Sequence, residues 1–253
     1  MIKKLISKSL QALGYTLVKS KKSGGLPPDV DDPEFLKIYS DCSPFSYTSI
    51  EPLFHLYTSV KYIAAMKIPG HIVECGVWKG GSMMLAAMTL LREKENGREL
   101  WLYDTFEGMS EPGPEDIDFR GQDAKAILDK TKKNQEKNYW CYSTLEETKT
   151  NLYRTGYPQA QIKFIKGKVE DTIPGHIPDQ ISILRLDTDW YESTYHELQH
   201  LFPRLAKGGV LIIDDYGHWK GARKATDQYF KENNIKILLN RIDYSVRAGI
   251  KNG

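Results

Sequence analysis

Three aspartates at the ends of two apolar stretches are the residues of this chain best suited to chemistry. Asp187 follows residues 181–186 (ISILRL), and Asp214 and Asp215 follow residues 210–213 (VLII). Short apolar, β-branched runs of this kind are typical of buried parallel strands. Because the carboxyl ends of such strands form one edge of an open α/β sheet, we expect the three carboxylates to converge there. An all-oxygen ligand set suits Mg²⁺, Ca²⁺ or Mn²⁺, so the pattern predicts a divalent-cation site.

Each acidic segment also has a simpler interpretation. Asp187 could cap a helix that begins near Tyr191, and Asp214 with Asp215 could lie in a solvated loop, because Asp favours caps and turns. Both explanations must hold at once to remove the cation site, which makes them the weaker alternative. Asp189 lies two residues after Asp187, on the same face of an extended strand, so both carboxylates can reach one crevice.

A glycine-rich turn follows the first predicted strand. Residues 74–82 (ECGVWKGGS) lead into a helix, where glycines let the backbone approach a ligand and the helix N-terminus offers unpaired N–H groups. The dinucleotide fingerprint G-x-G-x-x-G is not matched, which disfavours a dehydrogenase. Glu74, Gly76 and Gly80 instead form the acid-x-Gly-x-x-x-Gly pattern that class I methyltransferases use for S-adenosylmethionine, with Glu74 at the amino-acid end of the cofactor.

Asp104 ends the second predicted strand. A carboxylate at this position can accept hydrogen bonds from both hydroxyls of a ribose. The alternative is that Asp104 is a local cap and residues 80–81 (GG) are only a tight turn. The two features occur together at the spacing of a nucleoside pocket, which favours a binding site.

Strands and helices alternate from residue 71 onward. Strands are predicted at residues 72–76, 100–104, 162–166, 181–186, 210–213, 235–239 and 244–250. Helices are predicted at residues 50–66, 82–92, 123–137, 143–153 (from a capping box formed by Ser143 and Glu146), 191–205 (ended by residues 207–209, KGG) and 222–230. This alternation predicts a largely parallel, doubly wound α/β sheet, to which the last two strands add an antiparallel edge.

The first 33 residues have a different character from the rest. Residues 1–17 form a basic amphipathic pattern, and residues 19–33 are rich in Lys, Gly, Pro and Asp and predict a flexible linker. The helix could pack on its own domain, mediate dimerisation, or make peripheral membrane contact. We expect residues 34–70 to form a helical lid and residues 71–253 to form the catalytic domain.

The bulk composition excludes several classes of protein. A chain of 253 residues with 40% hydrophobic and 27% charged residues suits one α/β domain with a small appendage. Its net charge of +2 gives no reason to expect a nucleic-acid partner. The three cysteines lack metal or disulfide spacing, which predicts a reduced, cytoplasmic setting. No apolar run approaches the roughly 18 residues of a membrane span.

Four segments together resemble the macrocin O-methyltransferase (TylF/MycF-like) family of sugar O-methyltransferases. They are residues 68–82 (IPGHIVECGVWKGGS), 103–112 (YDTFEGMSEP), 186–194 (LDTDWYEST) and 208–217 (GGVLIIDDYG). The resemblance runs from about residue 46 to about residue 230. It implies the class I methyltransferase (Rossmann-like) fold, a mostly parallel seven-stranded sheet with helices on both faces and an N-terminal helical lid. It also implies S-adenosylmethionine and Mg²⁺ as cofactors, and a hydroxyl of a deoxysugar glycoside as the acceptor.

The resemblance assigns roles to particular residues. Asp187, Asp214 and Asp215 match the metal ligands, Asp189 matches the proposed base, and His218 lies beside the acceptor. Two neighbouring hydroxyls that chelate Mg²⁺ would have a lowered pKa, and Asp189 would take the proton. The implied cofactor contacts are Thr48, Ser49, Glu74, Gly76, Gly80, Ser82, Asp104, Glu170, Asp171 and Asp187.

The acceptor stays open at this stage, because a fold does not fix a substrate. We expect a small-molecule sugar or glycoside as the partner, no nucleic acid, and a homo-oligomer. One alternative is a Mg²⁺-dependent O-methyltransferase of a catechol-like molecule, in which a second kind of vicinal diol chelates the metal. The other is a non-catalytic scaffold that binds S-adenosylmethionine or a nucleotide.

Overall fold

The computed structural model describes residues 26–130 and 141–252. The chain divides into two compact units, Met1–Asp31 and Asp32–Gly253. The predicted amphipathic helix over residues 1–17 lies outside the described residues, as does the end of the helix predicted for residues 123–137. All the elements below belong to the second unit.

A seven-stranded sheet forms the centre of the second unit. The strands are β1 His71–Cys75, β2 Leu100–Asp104, β3 Ile162–Lys166, β4 Ile181–Leu186, β5 Leu205–Ile213, β6 Asn240–Arg241 and β7 Arg247–Ile250. They lie in the order β3-β2-β1-β4-β5-β7-β6. The first five in this order are parallel to one another, and β7 is antiparallel to both β5 and β6. The predicted parallel sheet with an antiparallel edge is confirmed.

Helices pack against the sheet. They are α1 Pro33–Cys42, α2 Ile50–Ala65, α3 Gly81–Arg92, α4 Ala124–Leu128, α5 Leu145–Tyr153, α6 Val169–Thr172, α7 Tyr191–Leu201 and α8 Lys220–Glu232. The helices α1, α2 and α3 pack on one another, and α2 also contacts β4 and β5. The helices α7 and α8 pack together, and α7 contacts β4.

Alternation along the central strands divides their side chains between the two faces of the sheet. Val73 and Cys75 of β1 and Leu184 of β4 are buried in a hydrophobic cluster that includes Leu198 of α7. The residues between them point to the opposite face. Because both faces of these strands are covered, every residue of β4 is buried, as its near-continuous apolar sequence indicates.

The segment predicted to be a helical lid contains α1 and α2. Asp32 caps α1, where its Oδ1 accepts hydrogen bonds from the backbone N–H groups of Glu34 and Phe35 at 2.9 and 3.1 Å. The ring of Phe35 packs on Phe54 and Tyr57 of α2, with centroids 4.9 and 5.3 Å apart. The helices are therefore joined by aromatic packing, and their role as a lid stays a prediction.

The predicted end of the helix after Tyr191 is wrong. The helix α7 ends at Leu201, a 3₁₀ turn covers Phe202–Arg204, and β5 already begins at Leu205. Pro203 lacks the N–H group that an α-helix needs at this point. The residues predicted to stop the helix, 207–209, lie within β5 instead.

The predicted strand at residues 235–239 is also wrong. Ile235, Ile237 and Leu239 alternate as in a strand and pack against the core cluster, but the backbone ladder forms only at Asn240–Arg241. The apolar alternation therefore predicted correctly which side chains face the core, but it did not show whether the backbone pairs with another strand. The final strand is shorter than predicted, Arg247–Ile250 in place of residues 244–250.

Two helix starts differ from the prediction. The helix α5 is capped by Thr144, whose Oγ1 accepts a hydrogen bond from the N–H of Glu147 at 3.1 Å, so the cap lies one residue after the predicted Ser143. In the predicted helix over residues 123–137, the described part is helical only over Ala124–Leu128, with Asp123 as its cap.

Within residues 26–130 and 141–252, no helix combines the length and apolar character needed to cross a membrane.

Candidate active site

A cavity of about 740 Å³ opens at the carboxyl ends of the parallel strands. This volume lies within the usual range for small-molecule sites, roughly 300–1,000 Å³. Most of the residues predicted from the sequence line it, namely Thr48, Ser49, Glu74, Gly76, Ser82, Asp104, Glu170, Asp187, Asp189, Asp214, Asp215 and His218. The expectation that separate strand ends converge on one site therefore agrees with the geometry.

Two of the predicted cofactor residues do not line this cavity. Gly80 is the residue before α3, and a side chain there would meet Leu152 of α5, with its Cβ only 2.5 Å from Leu152 Cδ2. Asp171 is exposed on α6. Position 80 therefore needs a glycine so that α3 and α5 can pack together. The glycine-rich sequence pattern does not distinguish this packing role from ligand binding.

Gly76 allows two strand ends to approach each other. It has a φ of +82°, and a Cβ at this position would lie 1.9 Å from the carbonyl oxygen of Asp187. No other residue type fits there without moving β4 away from β1. The glycine therefore brings the Asp187 segment against the glycine-rich turn, and so places the acidic cluster beside the predicted nucleoside site.

The three aspartates predicted to bind a cation lie together. One oxygen from each of Asp187, Asp214 and Asp215 lies within 4.8 Å of the others. The ladder of backbone hydrogen bonds sets this arrangement, since Asp187 N–H donates to Cys75 O and Asp214 N–H donates to Leu186 O, both at 2.9 Å. The sheet thus aligns the residues that follow β4 and β5.

The electrostatics of the cluster suit a bound cation. Burial raises the pKa values of Asp187 and Asp215, and the neighbouring carboxylates raise both further. A divalent ion between these oxygens would reverse the shift by supplying the opposite charge. Three carboxylates at this spacing therefore fit a hard divalent cation such as Mg²⁺.

Arg185 is the site residue that the sequence analysis missed. Its side chain is 4% exposed, and its guanidinium donates to Asp187 Oδ2 at 2.6 Å and to Asp214 Oδ1 at 2.5 Å. It also donates to Glu74 and, at 2.9 Å, to Thr48 Oγ1. The signal was present in the sequence, because an arginine inside a buried apolar strand must be paired with acids.

Asp189 reaches the cavity by a route that strand alternation does not describe. The strand β4 ends at Leu186, and Asp189 has a φ of +68°, so the chain turns sharply before it. Its N–H donates to Asp215 Oδ2 at 3.1 Å, and its Oδ1 accepts a 2.6 Å hydrogen bond from Trp219 Nε1. Burial and then the nearby Asp187 raise the pKa of Asp189, which is the direction expected for a general base.

Glu74 presents one unpaired oxygen beside the cavity. Its Oε1 accepts from Arg185, whereas Oε2 has no hydrogen-bond partner among the described residues and is buried. Burial raises the pKa of Glu74 to about 7, against the opposing effect of Arg185. A buried carboxylate oxygen without a partner is a strong acceptor, so this atom suits the ammonium group of an amino-acid ligand.

Asp104 has a local structural role in addition to facing the cavity. Its Oδ2 accepts hydrogen bonds from the N–H groups of Val77 and Trp78 at 2.7 and 2.9 Å, and its Oδ1 accepts one from Phe106 N–H at 2.6 Å. Two ionised oxygens offer about four acceptor positions. A fourth, longer bond comes from Thr105 Oγ1 at 3.5 Å. The carboxylate therefore shapes the glycine-rich turn, and a ribose hydroxyl would have to replace or share one of these bonds.

His218 and Tyr244 are aromatic side chains that line the cavity next to Trp219, and Phe119, which is not a lining residue, packs against both. His218 packs edge-on against Phe119 and Tyr244, with ring centroids 5.4 and 5.9 Å away, and its Nδ1 lies 3.2 Å from the Tyr244 hydroxyl. Burial lowers the pKa of His218. Phe119 and Tyr244 are 49% and 55% exposed, so this aromatic wall (Phe119, His218 and Tyr244) offers flat apolar surface to a ligand. Of the three, the sequence analysis named only His218.

Comparison with known proteins identifies the family. The family model of the macrocin O-methyltransferases (TylF) matches residues 30–248. The chain belongs to this family. It is therefore an O-methyltransferase, as the four sequence segments predict.

Curated relatives support the assignment to the macrocin O-methyltransferase family. The 8-demethyl-8-(2,3-dimethoxy-alpha-L-rhamnosyl)-tetracenomycin-C 4'-O-methyltransferase of Streptomyces olivaceus is 34% identical over 77% of this chain and 70% of that protein. The demethyldecarbamoylnovobiocin O-methyltransferase of Streptomyces niveus is 30% identical over 77% and 71%. The mycinamicin III 3''-O-methyltransferase of Micromonospora griseorubida is 30% identical over 70% and 66%.

Solved structures agree on the fold. The O-methyltransferase NovP superposes with a TM-score of 0.70 at 28% identity, over 83% of each chain. The calicheamicin methyltransferase CalS11 superposes with a TM-score of 0.57 over 91% of this chain and 99% of its own, and its 14% identity supports the fold alone. The enzyme thus has the class I methyltransferase fold that the sequence predicts.

Proposed function

We propose that this enzyme transfers a methyl group from S-adenosylmethionine to a hydroxyl of a sugar, within a glycoside or a related natural product, with the help of a divalent cation. One observation carries the proposal. A single cavity joins a buried acceptor for an amino-acid group, an acidic cluster suited to a cation, and a half-buried aspartate suited to remove a proton. The family supports it, and so do the relatives that are O-methyltransferases of a rhamnosyl-tetracenomycin and of mycinamicin III.

The cofactor end of the cavity lies over the glycine-rich turn. Glu74 would accept a hydrogen bond from the cofactor ammonium through its unpaired Oε2, and Asp104 lies where a ribose would bind. Gly167 and Glu170, after β3, line the same cavity, and we expect the adenine beside them. The protein binds and aligns the cofactor, and alignment of this kind can supply roughly 7–11 kcal/mol of the barrier.

Asp187, Asp214 and Asp215 would hold the cation. When bound, Mg²⁺ supplies a Lewis acid that lowers the pKa of a coordinated hydroxyl. The protein's own contribution is to hold the three carboxylates at one position before any ligand arrives. The backbone hydrogen bonds that follow β4 and β5 provide that rigidity.

Asp189 would remove the proton from the acceptor hydroxyl. Its raised pKa makes it a better proton acceptor than an exposed aspartate. Trp219 Nε1 and the backbone contact to Asp215 fix its orientation. Because Trp219 donates to one carboxylate oxygen only, the other oxygen is the one that would meet the substrate.

The aromatic wall defines the acceptor side. A sugar ring has an apolar C–H face and a polar edge, and aromatic side chains at wet sites accommodate such a combination. Phe119, His218 and Tyr244 present this surface next to Trp219 and so next to the base. We therefore place the methylated sugar between this wall and the acidic cluster.

The test is methyl transfer to a panel of acceptors with S-adenosylmethionine, with and without Mg²⁺. The panel should contain rhamnosides, other deoxysugar glycosides and a catechol, so that it separates the sugar from the aromatic diol. Activity confined to the catechol would assign the enzyme to aromatic diols instead of sugars, and a wild type that shows no calorimetric binding of S-adenosylmethionine would contradict the proposed cofactor.

The base is tested with Asp189→Asn, a substitution of nearly equal size. We expect turnover to fall by at least roughly 100-fold, the lower end of general-base contributions, while cofactor affinity stays within a few-fold. The matched control is Asp227→Asn on α8, where the carboxylate accepts from the Tyr216 hydroxyl away from the cavity. Near-normal turnover in Asp189→Asn would remove this residue from the base role.

A further inference from the structure

Arg185 lies at the point where four separate segments of the site meet. It is the last but one residue of β4, directly beside Glu74 of β1 in the parallel register. Its Nη1 donates to Asp187 Oδ2 at 2.6 Å and to Glu74 Oε1. Its Nη2 donates to Asp214 Oδ1 at 2.5 Å and to Thr48 Oγ1 at 2.9 Å.

These partners divide between the two ends of the cavity. Asp187 and Asp214 belong to the acidic cluster, whereas Glu74 and Thr48 belong to the predicted cofactor end. They come from β1, from the ends of β4 and β5, and from the segment before α2. A planar guanidinium with five donors in a fixed fork can hold all of them in one geometry, which a lysine ammonium cannot.

We propose that Arg185 is a positioning residue that holds the cation ligands and the cofactor contacts in place together, so that replacing it weakens the binding of both ligands. The inference rests on the proposed function. It goes beyond that function by linking the two binding events to one side chain that touches neither reacting atom.

Two opposite effects compete at the cation end. The positive charge of Arg185 repels a cation, so a role in charge balance alone predicts tighter cation binding when Arg185 is removed. Without Arg185, however, Asp187 and Asp214 lose their shared donor, and the neighbouring carboxylates repel one another. Partners that orient metal ligands typically contribute about 10–100-fold to metal affinity, so the loss of orientation should dominate.

The same reasoning applies at the cofactor end. Glu74 is 1% exposed, and Arg185 is the partner of its Oε1, while its Oε2 has none among the described residues. Removing the guanidinium would leave a fully buried carboxyl without its charged donor, which favours its protonation or displacement. In either case Glu74 would no longer offer a fixed charged oxygen to the cofactor.

The experiment measures the two affinities separately on the full chain. Isothermal titration calorimetry with Mg²⁺ or Mn²⁺ alone, and then with S-adenosylmethionine alone, is carried out on wild type, Arg185→Lys and Arg185→Met. We expect both affinities to fall by about tenfold or more in both variants. Arg185→Lys retains the charge but not the fork, so its failure to rescue would identify geometry as the cause.

Two further variants keep the test decisive if Arg185 variants fold poorly. Thr48→Val removes only one contact of the guanidinium, so we expect weaker binding of S-adenosylmethionine with unchanged cation affinity. Arg98→Lys is the matched control, because Arg98 is a half-buried arginine that bonds Glu95 and the Ile68 carbonyl away from the cavity. It should leave both affinities unchanged, and circular dichroism verifies the fold of each variant.

The outcomes distinguish the inference from the proposed function. Tighter cation binding in Arg185→Met would overturn the positioning role, and so would unchanged affinity for either ligand in both Arg185 variants. A wild type that binds S-adenosylmethionine but neither cation would overturn both this inference and the cation in the proposed function. Absence of any cofactor binding by the wild type would instead overturn the proposed function itself.

Discussion

Glu197 should make the stability of this enzyme depend on pH in a way that one substitution removes. Glu197 lies on α7 and is fully buried. Its Oε1 accepts a 2.9 Å hydrogen bond from Thr188 Oγ1, and its Oε2 has no partner among the residues that the structure describes. Burial raises the pKa of Glu197 well above its ordinary value of 4.5, despite the hydrogen bond from Thr188. The perturbation is Glu197→Gln, which imitates the neutral carboxyl.

The sign and size follow from proton linkage. Because the folded pKa is raised, the folded state keeps a proton that the unfolded state has already released. The stabilisation from Glu197 is therefore complete below the unfolded pKa and is lost as pH rises through the interval up to the folded pKa. Within that interval one proton changes the free energy of unfolding by about 1.4 kcal/mol per pH unit. Glu197→Gln should remove this contribution from the slope.

The assay is urea unfolding at a series of pH values from about 5 to about 7, a window that begins just above the ordinary carboxyl pKa. Wild type should lose stability more steeply than Glu197→Gln, by up to about 1.4 kcal/mol per pH unit. Other buried acids contribute equally to both proteins and cancel in the difference. Glu192→Gln, which removes an exposed carboxyl from the same helix, should keep the wild-type slope. Equal slopes for wild type and Glu197→Gln would show that the buried carboxyl is ionised, and would refute the reasoning.

Three more predictions test the packing and the site. Gly221→Ala should destabilise the fold by about 1–3 kcal/mol, seen as a lower Tm, because its Cβ would lie 2.0 Å from Asp116 Oδ1; an unchanged Tm would contradict this close contact. Trp219→Phe should lower kcat roughly tenfold or more, the value of a hydrogen bond to a charged group, with cofactor Kd unchanged, since it removes the donor that orients Asp189; a change in Kd alone would argue against that role. Asp104→Asn should weaken cofactor binding, measured by calorimetry, because an amide nitrogen cannot accept the N–H groups of the glycine-rich turn; wild-type affinity would show that the turn keeps its shape without the carboxylate.

The sequence was sufficient to predict the convergence of the acidic residues. A buried strand has a compositional signature, and parallel strands present their carboxyl ends on one edge, so Asp187, Asp214 and Asp215 could be grouped without coordinates. The largely parallel sheet and its antiparallel edge followed from the same alternation of elements, whereas the order of the strands did not.

Side-chain contacts between residues far apart in the chain could not be predicted in that way. Arg185 contacts Glu74, which lies 111 positions away along the chain, and no local pattern reports a neighbour at that distance. The pairing of Phe119 with His218 and Tyr244 likewise depends on three loops that meet only in the folded chain. A charged residue within a buried strand indicates that it has an oppositely charged partner, but it does not identify that partner.

The predicted boundaries of helices and strands were wrong where the same residue type or spacing occurs in two kinds of structure. The glycines at 208 and 209 predicted the end of a helix, yet they lie within β5, where a Cβ at 209 would come within 3.0 Å of the Ser182 carbonyl oxygen of the neighbouring strand β4. The alternating residues Ile235 and Ile237 predicted a strand, because burial of every second side chain has the same period whether or not the backbone is paired. Local composition does not separate these cases.

The backbone at Asp189 has a consequence for how this position can vary among descendants of the enzyme. A φ of +68° is tolerated by Asp, Asn and Gly but strongly resisted by branched or bulky residues. Steric selection and chemical selection therefore act on the same few residue types. A descendant that had lost methyl transfer would still be expected to keep Asp, Asn or Gly here. An aspartate at this position is therefore weaker evidence of retained activity than the tryptophan that donates a hydrogen bond to it.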